Sequence, residues 1–191
     1  MVDYNKKNMN KHVIIFLAFN NVDDIKKSFE SMYLPNIDYF IIENKSNYSE
    51  QIKDYFLEEK KNRDNIVKYI QFEKNIATVA VNITIRDYVD FFKQYDYITF
   101  TDGDYFIYDM DATVKEMLSA FNDPNCGISS VDLYTRNNWR QKANRIIGSD
   151  HYVEFMKQKE NQAPAPRVGI GVPCIMTLQK KDFGIFENIY F

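Results

Sequence analysis

Two acidic pairs stand close together in TFTDGDYFIYDMDAT, residues 99–113. Asp102-Gly103-Asp104 and Asp109-Met110-Asp111 share one spacing, but they follow different kinds of sequence. An apolar, β-prone run, YDYITFT (95–101), leads into the first pair. Carboxylates two positions apart at a strand end can face the same side, and Gly103 removes a side chain that would keep a ligand from the backbone. Such a pair suits Mg²⁺ or Mn²⁺, hard cations that take oxygen ligands and bridge phosphates. The plain alternative is an acidic turn without chemistry. The second pair opens a helical pattern near 111–122. There, carboxylates cap free N–H groups and complement the helix dipole.

The elements that must position these groups alternate regularly. HVIIFLAF (12–19) reads as a strand buried on both faces. Asn20-Asn21 then cap a helix through VDDIKKSFESMY, with Ile25, Phe29 and Met32 on one face. IDYFIIE (37–43) is a second strand, and QIKDYFLEEKK a helix with Ser49 as its cap and Ile52, Tyr55 and Phe56 as its anchors. IVKYIQF (66–72) is a third strand, and IATVAVNITIRDYVDFFKQ (76–94) one long helix through Val81, Ile85, Tyr88, Val89 and Phe92. YDYITFT is the fourth strand and CGISSVDLY (126–134) the fifth. This β-α order predicts a parallel sheet with helices on both faces. Beyond Thr135 the rhythm breaks into RNNWRQKANR, an amphipathic HYVEFMKQKE, a Pro/Gly-rich loop, a strand-like CIMTL and KKDFGIFENIYF. HYVEFMKQKE reads as packed core or a dimer contact.

Composition narrows the class. The 191 residues fit one domain, and 45% hydrophobic content with 16% aromatics is that of a globular chain. A net charge of −3 without a basic cluster argues against nucleic acid as the main partner. Cys126 and Cys174 lie far apart in apolar contexts, as buried free thiols do, which fits a reducing compartment. MVDYNKKNMNK has no signal-peptide character, and no apolar run approaches the roughly 18–20 residues of a membrane span. The expectation is a cytoplasmic protein without a membrane span. A homodimer stays open, since a chain this small for its fold could borrow surface from a second copy.

In open parallel sheets, ligands bind beyond the carboxyl ends of the strands. The residues there are Ala18-Phe19-Asn20, Glu43-Asn44-Lys45-Ser46, Asn75, Asp102-Gly103-Asp104 and Asp132. ITFTDGDY, behind HVIIFLAFN, DYFIIENKS and YIQFEKNIATVAVN, resembles the GT-A fold nucleotide-sugar glycosyltransferases, nearest to glycosyltransferase family 2. Members show a first strand ending in a small residue, an aromatic and Asn. A second strand ends in an acid and a polar turn, an Asn-x-Gly turn follows with a second Asn beyond it, and then comes the Asp-x-Asp strand. Ala18-Phe19-Asn20, Glu43-Asn44-Lys45-Ser46, Asn75-Ile76-Ala77 with Asn82, and Asp102-Gly103-Asp104 fill those places. The resemblance covers about residues 12–132.

It implies a GT-A, Rossmann-like, mostly parallel α/β sheet with an irregular C-terminal third. Residues 12–132 would bind the nucleotide sugar and 133–191 would form a shortened acceptor side of the same domain. Ala18, Phe19 and Asn20 would line the nucleoside pocket, and Glu43 would accept a hydrogen bond from the base. Asn75, Asn82 and Gly103 would belong to the same site. Asp102 would lie near the ribose and the metal, and Asp104 would be the main ligand of Mn²⁺ or Mg²⁺. The metal would neutralise a leaving nucleoside diphosphate. Each residue also has a plainer reading: core packing for Phe19, a loop carboxylate for Glu43, helix caps for Asn75 and Asn82. Ala77 departs from the family's glycine.

Inverting members carry an acidic base beyond a Gly-Phe-Asp-Glu segment, whose beginning DFGIFENIYF resembles. Glu187 and Asp132 are the candidate bases, since such a group must reach the acceptor hydroxyl. His12 and His151 read as structural histidines, Trp139 as a sugar-stacking or flap residue, and Arg136, Arg140 and Arg167 as diphosphate partners or surface charge. The expected activity is hexose transfer, with glucose first, from a UDP-sugar to an acceptor hydroxyl. A nucleotide-sugar-binding module with little or no transferase activity is the alternative. A sugar nucleotidyltransferase fits less well, because LAFNNVDD lacks the glycine-rich phosphate loop that chemistry needs.

Overall fold

The computed structural model describes residues 11–77, 79–124, 126, 128–130, 133–134, 140–141 and 175–179. Along them run β1 (His12–Ala18), α1 (Val22–Met32), β2 (Asp38–Glu43), α2 (Ser49–Asn62), β3 (Ile66–Gln71), α3 (Val79–Asp87), α4 (Val89–Phe92), β4 (Tyr97–Asp102), α5 (Met110–Ser119), β5 (Ile128–Ser130), β6 (Leu133–Tyr134), β7 (Arg140–Gln141) and β8 (Ile175–Gln179). All seven residues of β1 are buried, which only a central strand covered on both faces can sustain. It takes that place in a six-stranded sheet of order β3-β2-β1-β4-β8-β5.

Alternation along β1 builds two cores. Ile14, Phe16 and Ala18 face Ile25, Phe29 and Met32 of α1, Ile52 and Phe56 of α2, and Met110, Val114 and Met117 of α5. Val13, Ile15 and Leu17 point the other way, with Phe40 and Ile42 of β2, against Ala80 of α3 and Phe92 of α4. Phe29 is the hub of the first core, with the rings of Phe16, Tyr39 and Phe56 packed edge-on at 5.5, 5.2 and 5.1 Å. Aromatic pairs in this arrangement add to the energy of area burial alone. Among the described residues no helix is long and apolar enough to cross a membrane.

Three expectations about the elements need correction. The helix expected over 76–94 is two, α3 and α4, separated at Tyr88 (φ −118°, ψ 27°). Its β-branched run has weak helix propensity, and the Thr84 hydroxyl back-bonds to the Ala80 carbonyl at 2.8 Å. Ser49 is not the cap of α2. It is the first helical residue, and its one hydroxyl proton is shared between the Glu43 carboxylate at 2.8 Å and the Ser46 carbonyl at 2.7 Å. The fifth strand divides as well: β5 joins the main sheet, whereas β6 pairs with β7 in a separate two-stranded ribbon.

The sheet is parallel from β3 to β4 and antiparallel beyond. The segment expected as strand-like near CIMTL supplies β8, which enters between β4 and β5. A chain of buried polar groups ties it in. His12 Nε2 lies 2.7 Å from the Thr99 hydroxyl, which lies 2.6 Å from that of Thr177. His12 is therefore structural, as expected, and burial lowers its pKa from 6.5 to about 4. The folded protein keeps it neutral over a range where the unfolded chain protonates it, so stability falls as pH drops from 6.5 towards 4. His12→Gln is expected to remove up to about 3 kcal/mol of that pH dependence. Urea unfolding of both proteins at pH 7 and pH 4.5 checks this, and equal losses for the two would contradict it.

Candidate functional site at the strand ends

Parallel strands in register end together. Ala18 pairs with Glu43, Glu43 with Gln71, and Leu17 with Asp102, so four chain segments leave the sheet along one row. Just beyond that row, three non-glycine residues adopt left-handed backbone: Asn20 (φ 64°), Lys45 (φ 43°) and Ala77 (φ 52°). Among the described residues they are the non-glycine positions of this kind, and all three follow strand ends. Conformations that cost energy persist where the surroundings over-determine them, and they concentrate at working sites.

At the end of β1, Phe19 is 39% exposed, so it is not the core residue its plainer reading makes it. Asn20 is exposed too. Asn21 caps α1, its Oδ1 accepting from the backbone N–H of Asp23 and Asp24 and its Nδ2 donating to the Asp24 carboxylate at 2.8 Å. Across from it, Asp102 is half-buried and Asp104 lies at the surface. Loss of surrounding water and the nearby Asp24 carboxylate both raise the Asp104 pKa, against the lowering effect of a backbone hydrogen bond. A bound cation would relieve that repulsion.

Among the described residues no three His, Cys, Asp or Glu side chains come together as a metal site. Asp102 and Asp104 alone suit a cation that completes its shell with phosphate oxygens and water, as Mg²⁺ usually does. Asp24 was missed in the sequence, where VDDIKK showed only a helix start.

Gly103 has a packing role that the sequence did not show. Its N–H donates to the Leu17 carbonyl at 2.8 Å, and a Cβ there would meet that oxygen at 3.0 Å and the Phe16 ring at 3.1 Å. The missing side chain points at β1 and the core, not at a ligand. Glycine is favoured by this close approach of two backbones.

Glu43 and Asn44, at the end of β2, are 0% and 3% exposed. The Glu43 carboxylate accepts from Lys45 N (3.2 Å), Ser46 N (3.0 Å), and the hydroxyls of Ser46 (3.3 Å) and Ser49 (2.8 Å). A buried carboxylate at the start of α2 also complements a helix whose Tyr48 cap makes no side-chain bond. In this geometry Glu43 builds its own loop, the plainer of its two readings.

Asn44 reaches the turn after β3: Nδ2 donates to Asn75 Oδ1 (3.0 Å) and the Ala77 carbonyl (3.1 Å), and Oδ1 accepts from Ile76 N (3.0 Å). Asn75 Oδ1 also accepts from Ala77 N at 2.9 Å. Asn82 sits half-buried near the start of α3. Asn44 belongs to the ENKS turn that the sequence singles out at the end of the second strand, but nothing local to that turn gives it a role of its own.

The second acidic pair is structural, as expected. Asp109 caps α5 through Ala112 N at 2.9 Å, and Asp111 pairs with Lys115. Cys126 is buried, as expected. Asp132, Arg136, Trp139, His151, Arg167, Cys174 and Glu187 lie outside the described residues, as do the Arg140 side chain and HYVEFMKQKE.

No family model matches the sequence. Uncharacterized proteins L142 and L138 of Acanthamoeba polyphaga mimivirus are each 34% identical to it, over 139 and 129 residues. Those stretches are 69% and 63% of this chain but 28% and 14% of the relatives, so it spans under a third of either. The fold is similar to that of the mannosyltransferase PcManGT from Pyrobaculum calidifontis, solved with GDP-Man and Mn²⁺ (TM-score 0.56, 12% identity, 91% of this chain and 46% of that one). It is also similar to GalNAc-T7 solved with UDP, GalNAc and Mn²⁺ (TM-score 0.53, 10% identity, 93% and 37%). These likenesses show the fold, a GT-A, Rossmann-like α/β domain.

The approach of Gly103 to β1 gives a direct test. Gly103→Ala is expected to cost about 1–3 kcal/mol, because the Leu17 carbonyl belongs to the most buried strand and has little room to yield. Denaturant unfolding measures it, and unchanged stability would contradict the packing role.

Proposed function

We propose that this domain is a metal-dependent glycosyltransferase moving a hexose from a nucleoside diphosphate sugar to an acceptor hydroxyl, with UDP-glucose as the first donor to test. The observation that carries the reading is the shared strand-end row. The Asp102-Gly103-Asp104 corner stands at the edge where Ala18, Glu43 and Gln71 end their strands. Two proteins of similar fold were solved with GDP-Man and Mn²⁺, and with UDP, GalNAc and Mn²⁺, which supports a nucleotide sugar and a divalent cation as the ligands to test.

In this reading Ala18, Phe19 and Asn20 border the nucleoside. Asn75 and Asn82 serve the sugar-diphosphate side, and Asp104 with Asp102 holds Mn²⁺ or Mg²⁺. The cation would supply charge neutralisation for the departing diphosphate. Exposed Phe19 offers a flat apolar face to a base. Glu187 and Asp132 are the proposed alternatives for the group that deprotonates the acceptor. The reaction class is proposed for this domain, which is a fraction of the length of its relatives.

Calorimetry with UDP in the presence of Mn²⁺ tests the site. The intact protein is expected to bind, and Asp104→Asn to bind about tenfold more weakly or worse. The raised pKa of Asp104 means that its charged form is disfavoured in the folded state. Removing the charge should therefore not lower the melting temperature at pH 7. Equal binding by the two proteins would sink the metal assignment. A panel of UDP-, GDP- and TDP-sugars scored for release of nucleoside diphosphate then names the donor. Binding without release from any of them identifies a binding module instead.

A further inference from the structure

We propose that Asn44 is a positioning residue, which turns the side-chain amide of Asn75 into an oriented donor for an oxygen of the bound nucleoside diphosphate. This rests on the function proposed above and adds to it a residue and a polarity. Two backbone donors set the orientation of both amides. The Ile76 N–H can be accepted only by an oxygen, so Oδ1 of Asn44 must face it at 3.0 Å. Nδ2 of Asn44 is then committed to Asn75 Oδ1 and the Ala77 carbonyl.

The Ala77 N–H likewise requires Oδ1 of Asn75, at 2.9 Å. Asn75 is exposed, and with its oxygen consumed twice its Nδ2 is directed away from the clamp. Among the described residues that Nδ2 makes no hydrogen bond. The chain thus presents a donor whose direction is decided by a buried neighbour 31 positions away in sequence.

The construction exceeds what closing a turn requires. Asn75 and Ala77 N alone would make a local side-chain turn. Asn44 adds three hydrogen bonds at a site 3% exposed, and it holds the left-handed Ala77 from both its N-terminal and carbonyl sides. The donor it orients stands beyond the row that also ends in Asp102. An outward N–H₂ there meets oxygen acceptors, and a carboxylate in its place would repel them.

Asn75→Asp separates ligand contact from structure. It keeps an oxygen for Asn44 Nδ2 and Ala77 N, and it replaces only the outward nitrogen. Its melting temperature is expected to stay near that of the intact protein, and its affinity for UDP with Mn²⁺ to fall about tenfold or more. Asn44→Ala, which frees the Asn75 amide to turn, is expected to weaken binding in the same direction. The double variant should be no weaker than Asn75→Asp alone, since both act through one donor. If Asn44→Ala does not fold, Asn44→Ser, which leaves a hydroxyl near Ile76 N, takes its place.

Intact affinity in Asn75→Asp, with binding lost in Asp104→Asn, would overturn this inference and leave the proposed function standing. Additive losses in the double variant would overturn the positioning role of Asn44. An intact protein that binds neither UDP nor GDP with Mn²⁺ would overturn both readings.

Discussion

Everything at the candidate site depends on β1 being paired in register on both sides. Its partners run parallel to it, Val13 to Ala18 against Asp38 to Glu43 on one flank and His12 to Leu17 against Tyr97 to Asp102 on the other. Parallel pairing in register makes loops from distant parts of the chain emerge side by side. Gly103 extends the β1–β4 contact one residue past the strand. The Asp104 backbone therefore follows from a hydrogen bond to Leu17 and a packed Phe16 ring, two features of the core.

The edge itself is made from polar groups that the fold buries and satisfies locally. Glu43 collects four donors from its own loop, and Asn44 collects the next turn along. Burying a carboxylate and an amide is costly unless each finds partners, and here each does. The result is a buried, hydrogen-bonded inner layer beneath a more exposed outer one: Phe19, Asn20, Asn75 and Asp104. Asp104 differs from the inner groups: loss of surrounding water, and after it the Asp24 carboxylate, raise its pKa. A binding site is expected to look this way, with satisfied groups below and one carboxylate of perturbed pKa above.

Much of this was legible in the residues. The apolar run of β1, the faces of α1 and α2, and the capping roles of Asn21 and Asp109 follow from local periodicity and cap chemistry, and all hold. What was not legible depends on contacts between distant segments. Gly103 looked like space for a ligand, because nothing local shows that Phe16 fills it. Ser49 looked like a cap, because its true partner, Glu43, ends a strand on the far side of a loop. The entry of β8 between β4 and β5 joins Thr177 to Thr99 across 78 positions, a pairing that no window of sequence contains. Asn44 belongs to the same class, since its partners lie in the turn after β3.

The central claim is that four strand ends form one nucleotide-sugar surface. Amide hydrogen exchange with and without UDP and Mn²⁺ tests it most directly, because it reports each backbone segment separately. The segments around 19–21, 43–46, 75–77 and 102–104 are expected to gain protection together on ligand addition. Protection confined to other segments, or to one of these four alone, would contradict it.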